Sequence, residues 1–122
     1  MVVVVDRQLR ARLVDQASAT IASEAVLIAS QWTSGTDADS LADIAGAALG
    51  MRVTLISPSG AVLGDSEFSR DSLGTLSNHA TRPEVMTAGR TPGVARRVSN
   101  STGREEMYAA ARGAQGIARI SL

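Results

Sequence analysis

Apolar residues recur every three or four positions through the first quarter of the chain. Residues 6–32 contain no proline or glycine, and the apolar positions fall at Leu9, Leu13, Ala17, Ile21, Ala25 and Ile28. This spacing predicts one long amphipathic helix with polar and charged residues on its other side. Such a helix would extend about 40 Å, which exceeds the average globular helix. We expect it either to pack on its own domain or to lie partly against a second copy of the chain.

A second, shorter helix is predicted after a break at residues 34–36. Thr36 or Asp37 can cap its first turn, where an acidic side chain is favourable. Its apolar stripe comprises Leu41, Ile44, Ala45, Ala48 and Leu49. Gly50 then ends the helix as a C-terminal cap.

The middle of the chain predicts a β-hairpin followed by a loop. Residues 52–57 are rich in β-branched side chains, and residues 61–63 form a returning strand after a turn at residues 58–60. Residues 64–78 are polar and predict a loop that contains at most a short helical turn.

The last part of the chain predicts a short helix and three strands. Residues 82–88 favour the helix, with Pro83 in its first turn. The strands are expected at residues 94–100, 105–112 and 116–122, joined by short turns. The order of elements predicts a single α+β domain over residues 1–122, with an antiparallel sheet of about five strands.

Composition excludes several classes of function. Hydrophobic residues make up 44% and charged residues 20% of the 122 residues, which suits a packed domain and argues against disorder. Twelve basic residues balance twelve acidic ones, so the charge gives no reason to expect nucleic-acid binding. The absence of cysteine excludes disulfides, thiolate chemistry and cysteine-ligated zinc.

The first five residues, a methionine and four valines, raise the question of a membrane. No apolar stretch of roughly 20 residues is present, so the sequence contains no complete span. We interpret residues 1–5 as the last turn of a membrane helix. A short buried strand or a remnant of cloning are the alternatives.

Four motifs follow one another between residues 52 and 110. They are R-V-T-L-I with G-A-V-L-G-D-S (52–66), N-H-A-T-R-P-E-V (78–85), G-V-A-R-R-V-S-N-S-T (93–102) and E-M-Y-A-A (106–110). Their order and spacing resemble the extracytoplasmic domain of phosphate-regulon-type (PhoR-like) sensor histidine kinases, which has a PAS/Cache-like fold. The chain departs from that pattern in residues 67–77, which are longer, in residues 88–92, and at Ala109, which replaces a bulkier residue.

The resemblance implies a periplasmic module between two helices of an inner-membrane homodimer. Residues 6–33 would be the signalling helix that follows the first span, residues 51–122 the sheet core, and residues 117–122 would lead into the second span. The catalytic domains of a kinase would lie outside this chain, so we expect no enzymatic activity and no cofactor here. The alternatives are a sensor module of a chemoreceptor or of a cyclic-dinucleotide synthase, or a free-standing interaction domain.

Binding of a small anionic ligand is the chemistry that the strand residues favour. Along the predicted third strand Arg97 and Ser99 share one face, whereas Arg96 points to the other. Arginine beside hydroxyl groups can hold a carboxylate or phosphate. The candidate ligand-binding residues are therefore Arg97, Ser99, Tyr108 and Arg82. The alternative is that the arginines are solvated or paired at the sheet surface.

His79, the single histidine, lies in the segment that also supplies the candidate structural motif: Asp65, His79, Arg82, Pro83 and Glu84. A metal site from Asp65, His79 and Glu84 is conceivable, but we favour a structural role in which Arg82 pairs with one of the two acids. Ala80 follows His79 where a phospho-accepting histidine has an acidic residue. The sequence also has no G-x-S-x-G nucleophile motif. We therefore expect neither a catalytic residue nor a metal.

Overall fold

A computed structural model describes residues 2–98 and 103–122, with side chains from residue 6 onward. The elements are α1 (Val2–Gln31), α2 (Ala38–Leu49), β1 (Arg52–Ile56), β2 (Val62–Asp65), a 3-10 helix (Arg70–Thr75), α3 (Pro83–Thr87), β3 (Gly93–Val98), β4 (Glu105–Arg112) and β5 (Ile117–Ser121). The strands form one antiparallel sheet in the order β2-β1-β5-β4-β3. The predicted α+β class, with a long helix, a second helix and a five-stranded antiparallel sheet, is confirmed.

Helix α2 begins and ends where the sequence predicts. The Asp37 carboxylate accepts a hydrogen bond from the backbone N–H of Ser40 at 3.2 Å, which satisfies one of the free amides of the first turn. Gly50 adopts the left-handed conformation (φ 66°, ψ 26°), and its N–H donates to the carbonyl of Gly46. This cap turns the chain into β1.

The alternation of side chains along the strands gives the sheet two faces. The α1 face carries Val53, Leu55, Ala109, Ala111, Ala118 and Ile120, packed against Ile21, Ala25 and Ile28 of α1 and Ala42 of α2. The α3 face carries a smaller apolar cluster of Ile56, Ala110 and Ile117 under Val85 and Ala88. Beside that cluster, the α3 face holds the buried polar residues Thr54, Asp65 and Arg119.

Helix α1 packs on the sheet only through its C-terminal part. Residues 6–13 are all exposed, and Leu9 and Leu13 keep 53% and 55% of their surface, whereas Ile21 keeps 1%. At 1.5 Å per residue these eight residues alone extend about 12 Å. The helix begins at Val2, before the predicted start at residue 6, so the alternative of a buried strand at the N-terminus is wrong.

The direction of α1 brings its exposed part and the end of β5 to the same end of the sheet. Ala29 lies against Gly113 after β4, and Val14 lines a small cavity together with Leu122 after β5. The helix therefore runs parallel to β4 and antiparallel to β5. Within the described residues, no helix has both the length and the apolar character that crossing a membrane requires.

Strand β2 differs from its predicted position at residues 61–63. It continues through Gly64 and Asp65, which favour turns rather than strands. The reason is tertiary: a Cβ on residue 64 would lie 2.6 Å from the carbonyl oxygen of Ala38, so glycine alone fits under the start of α2. The last two residues of the predicted strand 94–100 lie outside the described residues.

Candidate ligand-binding site

The register of three strands places a row of polar side chains on the α3 face. Thr54 on β1 lies opposite both Asp65 on β2 and Arg119 on β5. Because the side-chain period of a strand is two, Arg52 projects from the same face as Thr54. A charged patch therefore crosses the centre of the sheet, where apolar residues are the usual occupants.

Asp65 is fully buried and accepts hydrogen bonds from three residues. The Arg52 Nε donates to its Oδ1 and Oδ2 at 3.1 and 3.0 Å, and the Arg52 Nη2 donates to Oδ2 at 2.8 Å. The Thr54 hydroxyl donates to Oδ2 at 2.9 Å, and the backbone N–H of Glu67 donates to Oδ1 at 3.0 Å. This set of bonds fixes the Arg52 guanidinium beside Asp65 on the α3 face.

Glu84, also fully buried, reaches the sheet from α3. Arg97 binds it in bidentate fashion, with Nη1 donating to Oε1 at 2.6 Å and Nη2 to Oε2 at 3.0 Å, and the Arg119 Nη1 lies 3.5 Å from Oε2. Burial, the largest influence, opposes ionisation of Glu84. The hydrogen bonds from Arg97 and the charges of both arginines outweigh it, so the pKa of Glu84 is lowered.

Arg119 is a buried cation, with 3% of its surface exposed. Its Nη2 donates to the Thr54 hydroxyl at 3.2 Å, and its Nε has no hydrogen-bond partner among the described residues. Burial, and next the like charge of Arg52, lower the pKa of Arg119 to about 10. The guanidinium therefore remains charged at neutral pH.

Aromatic rings support three of these arginines, although the chain has one Tyr and one Phe. The Arg97 guanidinium carbon lies 3.8 Å from the centre of the Tyr108 ring, and that of Arg119 lies 5.2 Å from it. The Arg52 guanidinium lies 5.0 Å from the centre of the Phe68 ring. The Tyr108 hydroxyl donates to Glu106, and burial followed by this bond raises the pKa of Tyr108. These cation–π contacts orient the guanidinium groups without neutralising them.

His79 is buried and fixes the loop before α3. Its backbone N–H donates to the carbonyl of Gly60 at 2.8 Å, and its Nδ1 lies 2.7 Å from the carbonyl oxygen of Ser77. A carbonyl can only accept, so Nδ1 carries the proton. Burial, and then the charge of Arg119, lower the pKa of His79 to about 4, so the ring is neutral at pH 7.

These groups converge on one open cavity of about 430 Å³. We call it the arginine cavity, because its lining includes Arg52, Arg82, Arg97 and Arg119, together with His79 and Tyr108. Larger cavities, of about 760 and 500 Å³, lie near the end of α2 and beside Trp32. Their linings include neither Arg97 nor Arg119, so we take the smaller cavity as the candidate site.

Three of the four predicted ligand-binding residues, Arg97, Tyr108 and Arg82, line the arginine cavity, whereas Ser99 lies outside the described residues. Arg96 points to the opposite face of β3, as the alternation predicts, and lies 2.5 Å from Glu105. The alternative, in which the arginines form ion pairs, also applies, because Arg97 is bound to Glu84.

The predicted structural motif is partly rearranged. Pro83 opens α3 and His79 binds the loop, as expected. The expectation that Arg82 pairs with Asp65 or Glu84 is wrong. Asp65 is paired with Arg52 and Glu84 with Arg97. Arg82 instead donates a hydrogen bond to the Ser77 hydroxyl at 3.0 Å. Among the described residues, no three acidic or histidine side chains are placed to hold a metal ion.

Two arginines of the site, Arg52 and Arg119, were not predicted as ligand contacts. Arg119 lies between apolar neighbours in β5, I-A-R-I, and a single charge in such a run is an unusual signal for a buried strand. Comparisons with models of known protein families, with curated proteins and with solved structures found no match to this chain.

Proposed function

We propose that this chain is the extracytoplasmic sensor domain of a membrane receptor of the PhoR-like sensor histidine kinase type. In this proposal the domain has no catalytic role of its own. It relays a change on its sheet to membrane helices that precede α1 and follow β5.

The observation that carries the proposal is the shared end of α1 and β5. Val14 and Leu122 line one cavity, and residues 6–13 continue α1 beyond it as an exposed helix. Segments that continue both chain ends would therefore meet the same surface. A displacement of α1 along or around β5 would change the spacing or rotation of two spans attached there.

A second copy of the chain is the proposed partner of the exposed part of α1. Leu9 and Leu13 lie one helical turn apart and are both more than half exposed. Apolar pairs at this spacing form the seam of two-helix contacts. We infer that the receptor is a homodimer in which these leucines pack against their symmetry mates.

Substitution of Leu13 tests the relay. In the full-length receptor, Leu13→Asp should change the level of phosphorylated partner protein several-fold at constant signal, because a charge would separate the paired helices. Leu13 makes no part of the buried core, so the domain itself should remain folded. The matched control is Ala11→Asp, which places the same charge at an exposed position on the other side of α1 from both leucines.

Unchanged phosphorylation in Leu13→Asp, with wild-type amounts of receptor in the membrane, would refute the relay. A gene that ends near Leu122 and encodes no apolar segment on either side of this chain would refute the membrane receptor altogether. A different output domain after Leu122 would keep the relay and replace the kinase with a chemoreceptor or a cyclic-dinucleotide synthase.

A further inference from the structure

The arginine cavity concentrates positive charge from four separate elements. Arg52 comes from β1, Arg97 from β3 and Arg119 from β5, while Arg82 immediately precedes α3. Among the described residues, none of the side chains that line the cavity is acidic. Surface arginines are usually dispersed and solvated. That explanation does not fit four arginines that line one cavity.

The neighbouring acids do not fill the cavity. Asp65 and Glu84 are fully buried and bind Arg52, Arg97 and Arg119 from within the protein. Glu67 lies 3.9 Å from Arg52 with 62% of its side chain exposed, so solvent screens that pair. The charge of Arg52 acts unfavourably on Arg119, whereas the charges of Glu84 and Asp65 stabilise it.

Some N–H groups of these arginines have no hydrogen-bond partner among the described residues. A guanidinium has five N–H donors. Within the part of the chain that the structure describes, the Arg119 Nε has no partner although the residue is only 3% exposed, and the Arg82 side chain makes one hydrogen bond, to Ser77. The bidentate contact between Arg97 and Glu84 shows that a carboxylate fits the geometry of this face.

We propose that the arginine cavity binds a small oxyanion with at least two negative charges, such as a dicarboxylate or a phosphate group. A volume of about 430 Å³ lies within the range of small-molecule sites. Arg52, Arg82 and Arg119 line this volume as cations, while Tyr108 and Phe68 supply aromatic walls. This inference gives the proposed sensor its ligand class. It can be tested separately, because binding is measured on the 122-residue chain without a membrane.

Calorimetric titration at low ionic strength tests the site with two probes, malonate and inorganic phosphate. We expect saturable one-to-one binding of at least one probe, which weakens as salt is added. Malonamide, which has nearly the same shape as malonate but no charge, should not bind. Arg82→Gln should weaken binding about tenfold or more, the usual effect of losing a hydrogen bond to a charged group.

The matched control is Arg96→Gln, because Arg96 lies on the same strand as Arg97 but on the other face. It should bind as the wild type does. A second readout, independent of variants, is the Nε–H resonance of Arg119, which should shift on addition of the anion.

Absence of saturable binding by both anions would refute the site. Equal binding of malonamide, or equal losses in Arg82→Gln and Arg96→Gln, would also refute it. None of these results depends on the Leu13 experiment. Binding with no effect of Leu13→Asp would leave an anion-binding domain without the proposed relay.

Discussion

At the scale of single residues, the α3 face is built from charges that depend on one another. Glu84 is ionised because Arg97 and Arg119 surround it, and Arg119 is tolerated inside the sheet because Glu84 and Thr54 accept its donors. Removing one partner of a buried pair leaves an uncompensated charge, whereas replacing both by apolar groups can be neutral. This arrangement is costly where apolar packing would serve stability, which supports the proposal that these charges bind an anion.

His79 makes the stability of the domain sensitive to acid. Its pKa is about 4 in the folded protein and 6.5 ordinarily, so the unfolded chain binds the proton more readily. The free energy of unfolding should therefore be highest above about pH 6.5 and fall towards pH 4, by up to about 3 kcal/mol from this group. Urea unfolding of the 122-residue chain at a series of pH values measures this change.

The control for His79 is His79→Asn, whose amide can still donate to the Ser77 carbonyl but does not titrate. Carboxylates contribute equally to both proteins, so the difference between the two curves isolates the histidine. The wild type should lose stability relative to His79→Asn as the pH falls from 6.5 to 4. Parallel curves over this range would show that His79 is not buried as a neutral ring.

Strand alternation was enough to predict the orientation of Arg97 and Arg96 from the sequence. The contact between Arg119 and Thr54 joins residues 65 positions apart, and it exists only because β5 pairs with β1 in one register. No local pattern contains that register. The sequence therefore predicted Arg97, Tyr108 and Arg82 but not Arg52 and Arg119, which depend on the pairing of distant strands.

At the scale of elements, the position of α3 depends on Gly93. A Cβ on residue 93 would lie 2.1 Å from the carbonyl oxygen of Glu84 and 2.9 Å from the backbone nitrogen of Ala88. Backbone atoms cannot rotate away, so Gly93→Ala must push α3 off β3 and draw Glu84 away from the arginines. We expect a loss of about 1–3 kcal/mol of unfolding free energy in urea, as in other overpacked contacts.

Gly89→Ala is the matched control, since a Cβ on residue 89, shortly after α3, would meet nothing within 4 Å. It should leave the stability nearly unchanged or raise it slightly. Gly93→Ala should also weaken anion binding, if the site binds anions, because its arginines would shift. Equal stability of the two variants would mean that α3 does not rest on β3 as described.

The elements were predictable to the extent that their signals are local. Asp37 and Gly50 cap the two ends of α2, and a few neighbouring residues are enough to predict such caps. The predicted ends of β4 match the observed ones. Strand β2 was predicted too short because Gly64 and Asp65 favour turns. Both residues are held in the strand by contacts with distant parts of the sequence. Gly64 packs under the start of α2, and Asp65 binds Arg52.

At the scale of the whole molecule, the two faces of the sheet are coupled through its strands. β5 carries Arg119 on the α3 face and Ala118 and Ile120 on the α1 face, where they pack in the same core as Ile21. An anion that shifts Arg119 would therefore move the strand on which α1 rests. The anion biases the position of α1 only if it binds one arrangement more tightly than another.

Spin labels can measure this coupling, because the chain has no native cysteine. Cysteines at Gln8 and Leu122 should report a shorter distance than cysteines at Ser34 and Leu122, since α1 runs antiparallel to β5. If binding is coupled to α1, saturating malonate or phosphate should shift the first distance by about 1–2 Å, the usual size of a helix displacement. A pair at Leu63 and Leu122, both in or next to the sheet, should stay constant. If an anion binds and the distance from Gln8 to Leu122 does not change, the binding site is not coupled to the relay. If Gln8 lies farther from Leu122 than Ser34 does, the exposed part of α1 and the end of β5 do not lie at the same end of the sheet.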